Sequence, residues 1–195
     1  QQLSQVSPTE GPLHLHVKGL LLDYDCREGE AFNLFKRAAI QGFIPAQNVI
    51  ADALYAGKLG QHPRPKQERF DELKVLIDKG WGKAQDYVAY ALYHGSSDQH
   101  LRPKQKRFNE LKALADKGNK TAQDFVTDVL YTGELDQHLR SKQERFDELK
   151  ALAAQGLEKA QHHITYALYI GELDQHLRPE QERFDELKAL VDKGN

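Results

Sequence analysis

Four histidine–arginine pairs, His62/Arg64, His100/Arg102, His138/Arg140 and His176/Arg178, stand out among the side chains able to do chemistry. Repeated histidines suggest a metal, but each pair lies one 38-residue period from the next. Neighbouring packed helical units sit roughly 8–10 Å apart, whereas zinc needs its ligand atoms at about 2 Å. No shared metal site is expected. The pairs read instead as a loop-packing device, with contact to an acidic partner as a second use. His14/His16 and His162/His163 have no Asp, Glu or Cys at ligand spacing and read as surface histidines. The one cysteine, Cys26, excludes an internal disulfide and a cysteine-rich metal site, and reads as a small apolar side chain rather than a nucleophile. There is no Gly-rich phosphate loop and no HExxH motif. Ser, His and Asp fall on periodic positions, and a catalytic site has to break the period, which little does after residue 42. Neither an enzyme nor a cofactor is expected.

The other informative residues are those that vary while their neighbours hold. Ile50, Val88, Val126 and Ile164 keep one apolar position, and Leu54, Leu92, Leu130 and Leu168 another. Between them one series reads Asn48, Asp86, Asp124, His162, and a second reads Asp52, Tyr90, Asp128, Tyr166. Members of the two series are four residues apart and share a helical face. Mixed tyrosines and carboxylates are the chemistry of a protein interface, tyrosine for area and aspartate to select basic groups. The alternative is that Tyr90 and Tyr166 fill gaps between adjacent helices. By contrast QERFDELK, residues 67–74, recurs almost unchanged and reads as a solvated outer face, with Asp71 and Lys74 forming a local pair worth about 0.2–0.5 kcal/mol.

Positioning these residues is the task of a repeat. Gly42, Gly80, Gly118, Gly156 and Gly194 are 38 apart, as are Ala46, Ala84, Ala122 and Ala160, and Phe32, Phe70, Phe108, Phe146 and Phe184. A fixed period of this size marks a stacked array whose units bury their apolar faces against one another. Each period reads as two helices. In the third copy Ala84, Val88, Ala91 and Leu92 fall at helical spacing before Gly95, and Phe108, Leu111, Leu114 and Ala115 form a second stripe before Gly118. Pro103 suits a first helical turn, and Ser141 with Glu144 gives a capping box. The expected fold is all-α: an α/α superhelical solenoid of about five helix pairs, after a tail at residues 1–7, with units at 8–45, 46–83, 84–121, 122–159 and 160–195. The first unit is worn. Gly19, Phe32 and Gly42 keep register, but the Ala-Gln start is lost. At the other end Leu190 and Val191 keep an internal apolar pattern, so that edge is expected to be covered by further sequence, a second copy or a partner.

Composition narrows the partners. There are 27 basic and 29 acidic side chains, a net charge of −2, which gives no reason to expect nucleic acid or an anionic membrane. No apolar run approaches the roughly 20 residues of a membrane-spanning helix; LLL at 20–22 is the longest obvious one. The chain lacks methionine, so it is expected to begin downstream of the natural start, with an export signal as one candidate for the preceding segment.

FKRAAIQGFIPAQ, residues 35–47, resembles the Sel-one-like repeat, a relative of the tetratricopeptide repeat. Phe35, Lys36, Arg37, Ala38, Ala39, Gly42, Ala46 and Gln47 match its aromatic-basic-basic-Ala-Ala-x-x-Gly phrase and the Ala-Gln that follows. Later copies keep Ala-Gln and a Tyr-x-Gly turn (Tyr55-Gly57, Tyr93-Gly95, Tyr131-Gly133, Tyr169-Gly171). They depart where Leu76, Leu114, Leu152 and Leu190 replace the first Ala, and where Ala51, Ala89, Thr127 and Thr165 stand in place of a frequent Gly. The resemblance covers residues 8–195 and implies first helices lining a concave side. It implies an interaction protein, and similarity to one bacterial group implies a periplasmic immunity protein that neutralises a type VI secretion phospholipase effector. The alternative function is a scaffold that assembles a multiprotein complex, with a membrane as one place for it; the alternative compartment is the cytoplasm.

Overall fold

The computed structural model describes residues 10–192, apart from the side chain of Val191. The expected tail at 1–7 and the part of the terminal edge formed by Val191 lie outside the described residues. The chain is all-α, with no strand among the described residues. Among the described residues ten α-helices of 13 residues each follow one another: α1 Pro12–Tyr24, α2 Glu28–Ile40, α3 Ile44–Ala56, α4 Lys66–Asp78, α5 Gly82–His94, α6 Lys104–Asp116, α7 Lys120–Thr132, α8 Lys142–Ala154, α9 Glu158–Ile170 and α10 Glu180–Asp192. Two compact units divide the chain, the first ending at Val88 and the second beginning at Ala89, within α5. In the first, α1 packs on α2, α2 on α3 and α3 on α4. In the second the order is α6, α7, α8, α9, α10, each on the next, and α7 also touches α9, the first helix of the following copy.

The repeated apolar positions are the core. Phe70, Phe108 and Phe146 are buried, as are Leu73, Leu111 and Leu149 three residues on. Ala46, Ala84, Ala122 and Ala160 are fully buried, small enough to let successive helices approach closely. First helices end on glycines in the left-handed region, Gly57, Gly133 and Gly171, as expected of that residue at a helix stop. The connections after α5, α7 and α9 each hold a short 3₁₀ turn, Gln99–Leu101, Gln137–Leu139 and Gln175–Leu177, within stretches expected only as loops.

In the second, third and fourth copies a buried arginine ties the two helices together. Arg107 donates from Nε to the Leu92 carbonyl at 2.7 Å and from Nη2 to the Tyr93 carbonyl at 2.7 Å. Arg145 reaches the Leu130 and Tyr131 carbonyls from Nη1 alone, at 2.8 and 3.0 Å, and Arg69 Nη1 reaches the Leu54 carbonyl at 2.8 Å. These carbonyls end a helix and carry its partial negative charge, so a cation there serves as both cap and counter-charge.

The first pair departs from the expected register. Gly19, the counterpart of Gly57 by period, does not end its helix: α1 runs through it to Tyr24, and only residues 25–27 lead to α2. Leu20, Leu21 and Leu22 stand where later copies have loop residues, and they extend the helix. Gly19 has a different use. A Cβ there would lie 2.9 Å from Phe35 Cε1, so its absence admits the buried Phe35 ring. Cys26 is exposed, in a left-handed turn between α1 and α2.

Candidate functional site

The eight candidate residues sit on first helices, and the structure divides them into two groups by what they do. Asp52 on α3 is half-buried and already occupied. It accepts a hydrogen bond from Lys83 Nζ at 2.9 Å and another from the Tyr87 hydroxyl. Tyr87 stacks on Tyr55, ring centroids 4.4 Å apart and 8° from parallel. Burial, then the bond to Asp52, pushes the Tyr87 hydroxyl well above its ordinary pKa. Asp128 on α7 repeats the arrangement in the second unit. It accepts from Lys159 Nζ at 2.6 Å and from His163 Nε2 at 3.0 Å, and His163 stacks on Tyr131 at 4.3 Å and 8°. The carboxylate can only accept, so the Nε2 of His163 carries the proton. His163 is thus no surface histidine: its acidic partner lies 35 positions back, on another helix.

A third junction, within the second unit, has the opposite character. Tyr90 holds the aspartate position, and Thr121 and Phe125 hold the positions of the lysine and the donor ring. Phe125 stacks on Tyr93 at 4.4 Å and 9°, with Tyr90 edge-on to it at 6.2 Å and His94 4.1 Å from Tyr90. The Tyr93 hydroxyl is pushed up to about 12 by burial and by the neighbouring Glu134. The three positions change together: aspartate with lysine and a polar ring, tyrosine with threonine and phenylalanine. Sequence reasoning missed Lys83, Tyr87, Lys159 and His163, although their signal was a correlated change at positions 31 and 35 after each aspartate.

The remaining candidates face outward. Tyr90 and Tyr166 are 43% and 47% exposed, and Asp86, Asp124 and His162 are exposed while Asn48 is half-buried. His162 and Tyr166 lie ring to ring at 6.5 Å and 17°. A hollow lined by Lys120, Gln123, Asp124, Leu157 and His162 opens beside them on α7 and α9. In the second unit the surface thus combines Tyr90, Asp124, His162 and Tyr166 over a floor whose aspartate, Asp128, is engaged internally.

The histidine–arginine loops are structural, as the loop-packing reading holds. Arg140 donates to the buried Gln137 carboxamide oxygen at 3.1 Å and to Glu148 at 2.7 Å, and Arg178 repeats this with Gln175 and Glu186 at 2.8 Å each. The His100 and His176 Nδ1 atoms close their loops onto the Gly95 and Gly171 carbonyls at 3.2 and 3.1 Å. Among the described residues no cluster of three or more His, Cys, Asp or Glu is placed to hold a metal ion. No described helix is long and apolar enough to cross a membrane.

The second helices are not the uniform solvated face their charge suggests. Glu148 receives Arg140 from its own copy and Lys112 from the preceding one at 2.5 Å, and its side chain is only 18% exposed. Glu72 is bridged likewise by Arg64 and Lys36, and Glu186 by Arg178 and Lys150. Burial alone would push these carboxyls up, but the hydrogen bonds and charges of the two cations outweigh it and hold all three below their ordinary value. A carboxyl lowered on folding adds stability that is complete above the unfolded value and is lost as pH falls through the folded one. Glu148→Gln is therefore expected to cost roughly 1.5–3 kcal/mol near neutral pH, the value of hydrogen bonds to charged groups. The difference from the parent chain should shrink as pH falls below about 4. Urea titrations at both pH values check this; an equal cost at each removes the charge from the account. Neither any protein-family model nor any curated protein matches the chain, so what this face does is read from its own chemistry.

Proposed function

We propose that the chain is a non-enzymatic protein-binding array that captures its partner on the outward face of α5, α7 and α9. The observation that carries this reading is the pair of half-exposed tyrosines, Tyr90 and Tyr166, each held by a neighbouring ring. A tyrosine fixed before binding supplies contact area at low entropic cost, which is the property of an interface anchor. Asp124 and His162 beside the hollow supply polar contacts at its rim. Asp128 acts from behind as a positioning residue, through His163 beside His162. The partner is to be captured from the source cells and identified by mass spectrometry. Against it, Tyr90→Ala and Tyr166→Ala are each expected to lose at least about 2 kcal/mol of affinity, roughly thirtyfold. If both keep binding while His138→Ala in the loops loses it, the loop edge is the binding surface and this reading falls.

The family proposal is the Sel-one-like repeat, supported by the motif at residues 35–47 and the Ala-Gln and Tyr-x-Gly phrases of later copies. Within it the narrower proposal is a periplasmic immunity protein for a type VI secretion phospholipase effector, supported by the resemblance alone. Co-production with such an effector tests it: protected growth is expected, lost in the Tyr90→Ala/Tyr166→Ala double variant. Capture of several unrelated proteins together favours the scaffold reading instead.

A further inference from the structure

The outer side of α10 carries a charge pattern that the other second helices of its unit lack. On α6 a stripe at every fourth residue reads Lys104, Phe108, Lys112, and on α8 it reads Lys142, Phe146, Lys150. Each stripe is met by the following copy. Lys104 and Lys142 pair with Asp136 and Asp174 at 3.6 and 3.1 Å, Lys112 and Lys150 with Glu148 and Glu186 at 2.5 and 2.8 Å, and both phenylalanines are buried between. On α10 the same stripe is Glu180, Phe184, Lys188. Phe184 is 60% exposed against 1% for Phe146, and Tyr169, in register with the half-buried Tyr131, is 75% exposed. Among the described residues neither Glu180 nor Lys188 has an ion-pair partner.

The sign at the first position follows what faces it. Lysine meets an aspartate of the next copy. The other glutamate in this register, Glu28 on α2, meets Gly60, whose backbone N–H donates to it at 2.8 Å. Glu180 therefore suits a surface that offers a donor, and Lys188 suits one that offers a carboxylate. The stripe itself is such a surface when inverted. Glu180 and Lys188 lie four residues either side of Phe184, roughly 6 Å along the axis in each direction. Turning a second α10 antiparallel about a two-fold axis at Phe184 sets each Glu180 against Lys188 of the other copy, with the two rings between. A Lys-Phe-Lys stripe turned in this way would set lysine against lysine.

We propose that the chain forms a symmetric dimer through the outer side of α10, centred on Phe184 and registered by two Glu180–Lys188 pairs. A two-fold interface requires this reciprocity, residue i meeting j while j meets i. The pairing continues outward the inter-copy contact already made inside the second unit, with a second chain as the next layer. It does not depend on the partner proposed for the first helices.

Sedimentation equilibrium across a micromolar concentration range tests it, with helical circular dichroism confirming that each variant is folded. The parent chain is expected to be a monomer–dimer equilibrium. E180K and K188E each set like charges together twice and should weaken the dimer at least about tenfold. The double variant E180K/K188E restores complementarity and should recover it, and an equimolar mixture of E180K and K188E should form a heterodimer. A monomeric parent, single variants that dimerise as well as the parent, a double variant that is not rescued, or open-ended oligomers would each overturn the proposal.

Discussion

Phe108→Ala is expected to destabilise the chain by about 3–5 kcal/mol, the cost of emptying a buried aromatic site. Phe108 is 3% exposed. It is buried because α6 turns its apolar stripe inward while the following copy closes over it, so the cavity cannot collapse without moving two copies at once. Phe184 is the control supplied by the molecule itself. It has the same side chain and the same place in the period, but it is 60% exposed. At concentrations where the chain is monomeric, Phe184→Ala should cost no more than about 0.5 kcal/mol, as for other surface changes. Urea unfolding followed by helical circular dichroism reads both. An unchanged midpoint for Phe108→Ala would show that its ring is not core.

Arg107→Met is expected to cost about 2–4 kcal/mol, although methionine fills much of the same volume and relieves a desolvated charge. The reason is what the guanidinium leaves behind. The Leu92 and Tyr93 carbonyls sit in the last turn of α5 and accept from Arg107 at 2.7 Å each. A buried acceptor stripped of its donor costs roughly 1–3 kcal/mol. Burial lowers the pKa of Arg107, with the positive Arg102 adding to the effect and Asp136 opposing it, so the site does charge something for holding a cation. That charge is offset by the negative end of the helix. Arg107→Lys tests the geometry separately: an ammonium keeps the charge but not the planar fork, and should fall between parent and methionine. If Lys and Met variants unfold alike, the two carbonyls are not what the arginine serves.

The helices and their buried stripes were legible because they are local: Phe108, Leu111, Leu114 and Ala115 declare a face within one helix, and the glycines mark where it stops. The first pair was misread for the same reason. Gly19 holds the right place in the period, but three leucines after it carry the helix onward, and register alone does not register that substitution. The junction chemistry was harder to see. Asp128 looks like a surface carboxylate beside its own neighbours, and only the pairing of α7 with α9 brings Lys159 and His163 to it. Glu148 likewise takes its cations from 8 positions before it and 36 positions before it. The outward tyrosines were legible as variable positions on one face, whereas the engagement of the aspartates in that series was not.

The alternation of junctions sets a rule for how such an array can grow or shrink. Removing the period at residues 83–120 places Asp52 opposite Thr121 and Phe125, a carboxylate with neither lysine nor donor ring to meet it. Removing two periods sets Asp52 opposite Lys159 and His163, which satisfy it as Lys83 and Tyr87 did. Between Asp52 and His163, loss of a single copy leaves one junction with mismatched partners, whereas loss of two keeps the match. An array shortened between these junctions is therefore expected to be more stable with two copies removed than with one.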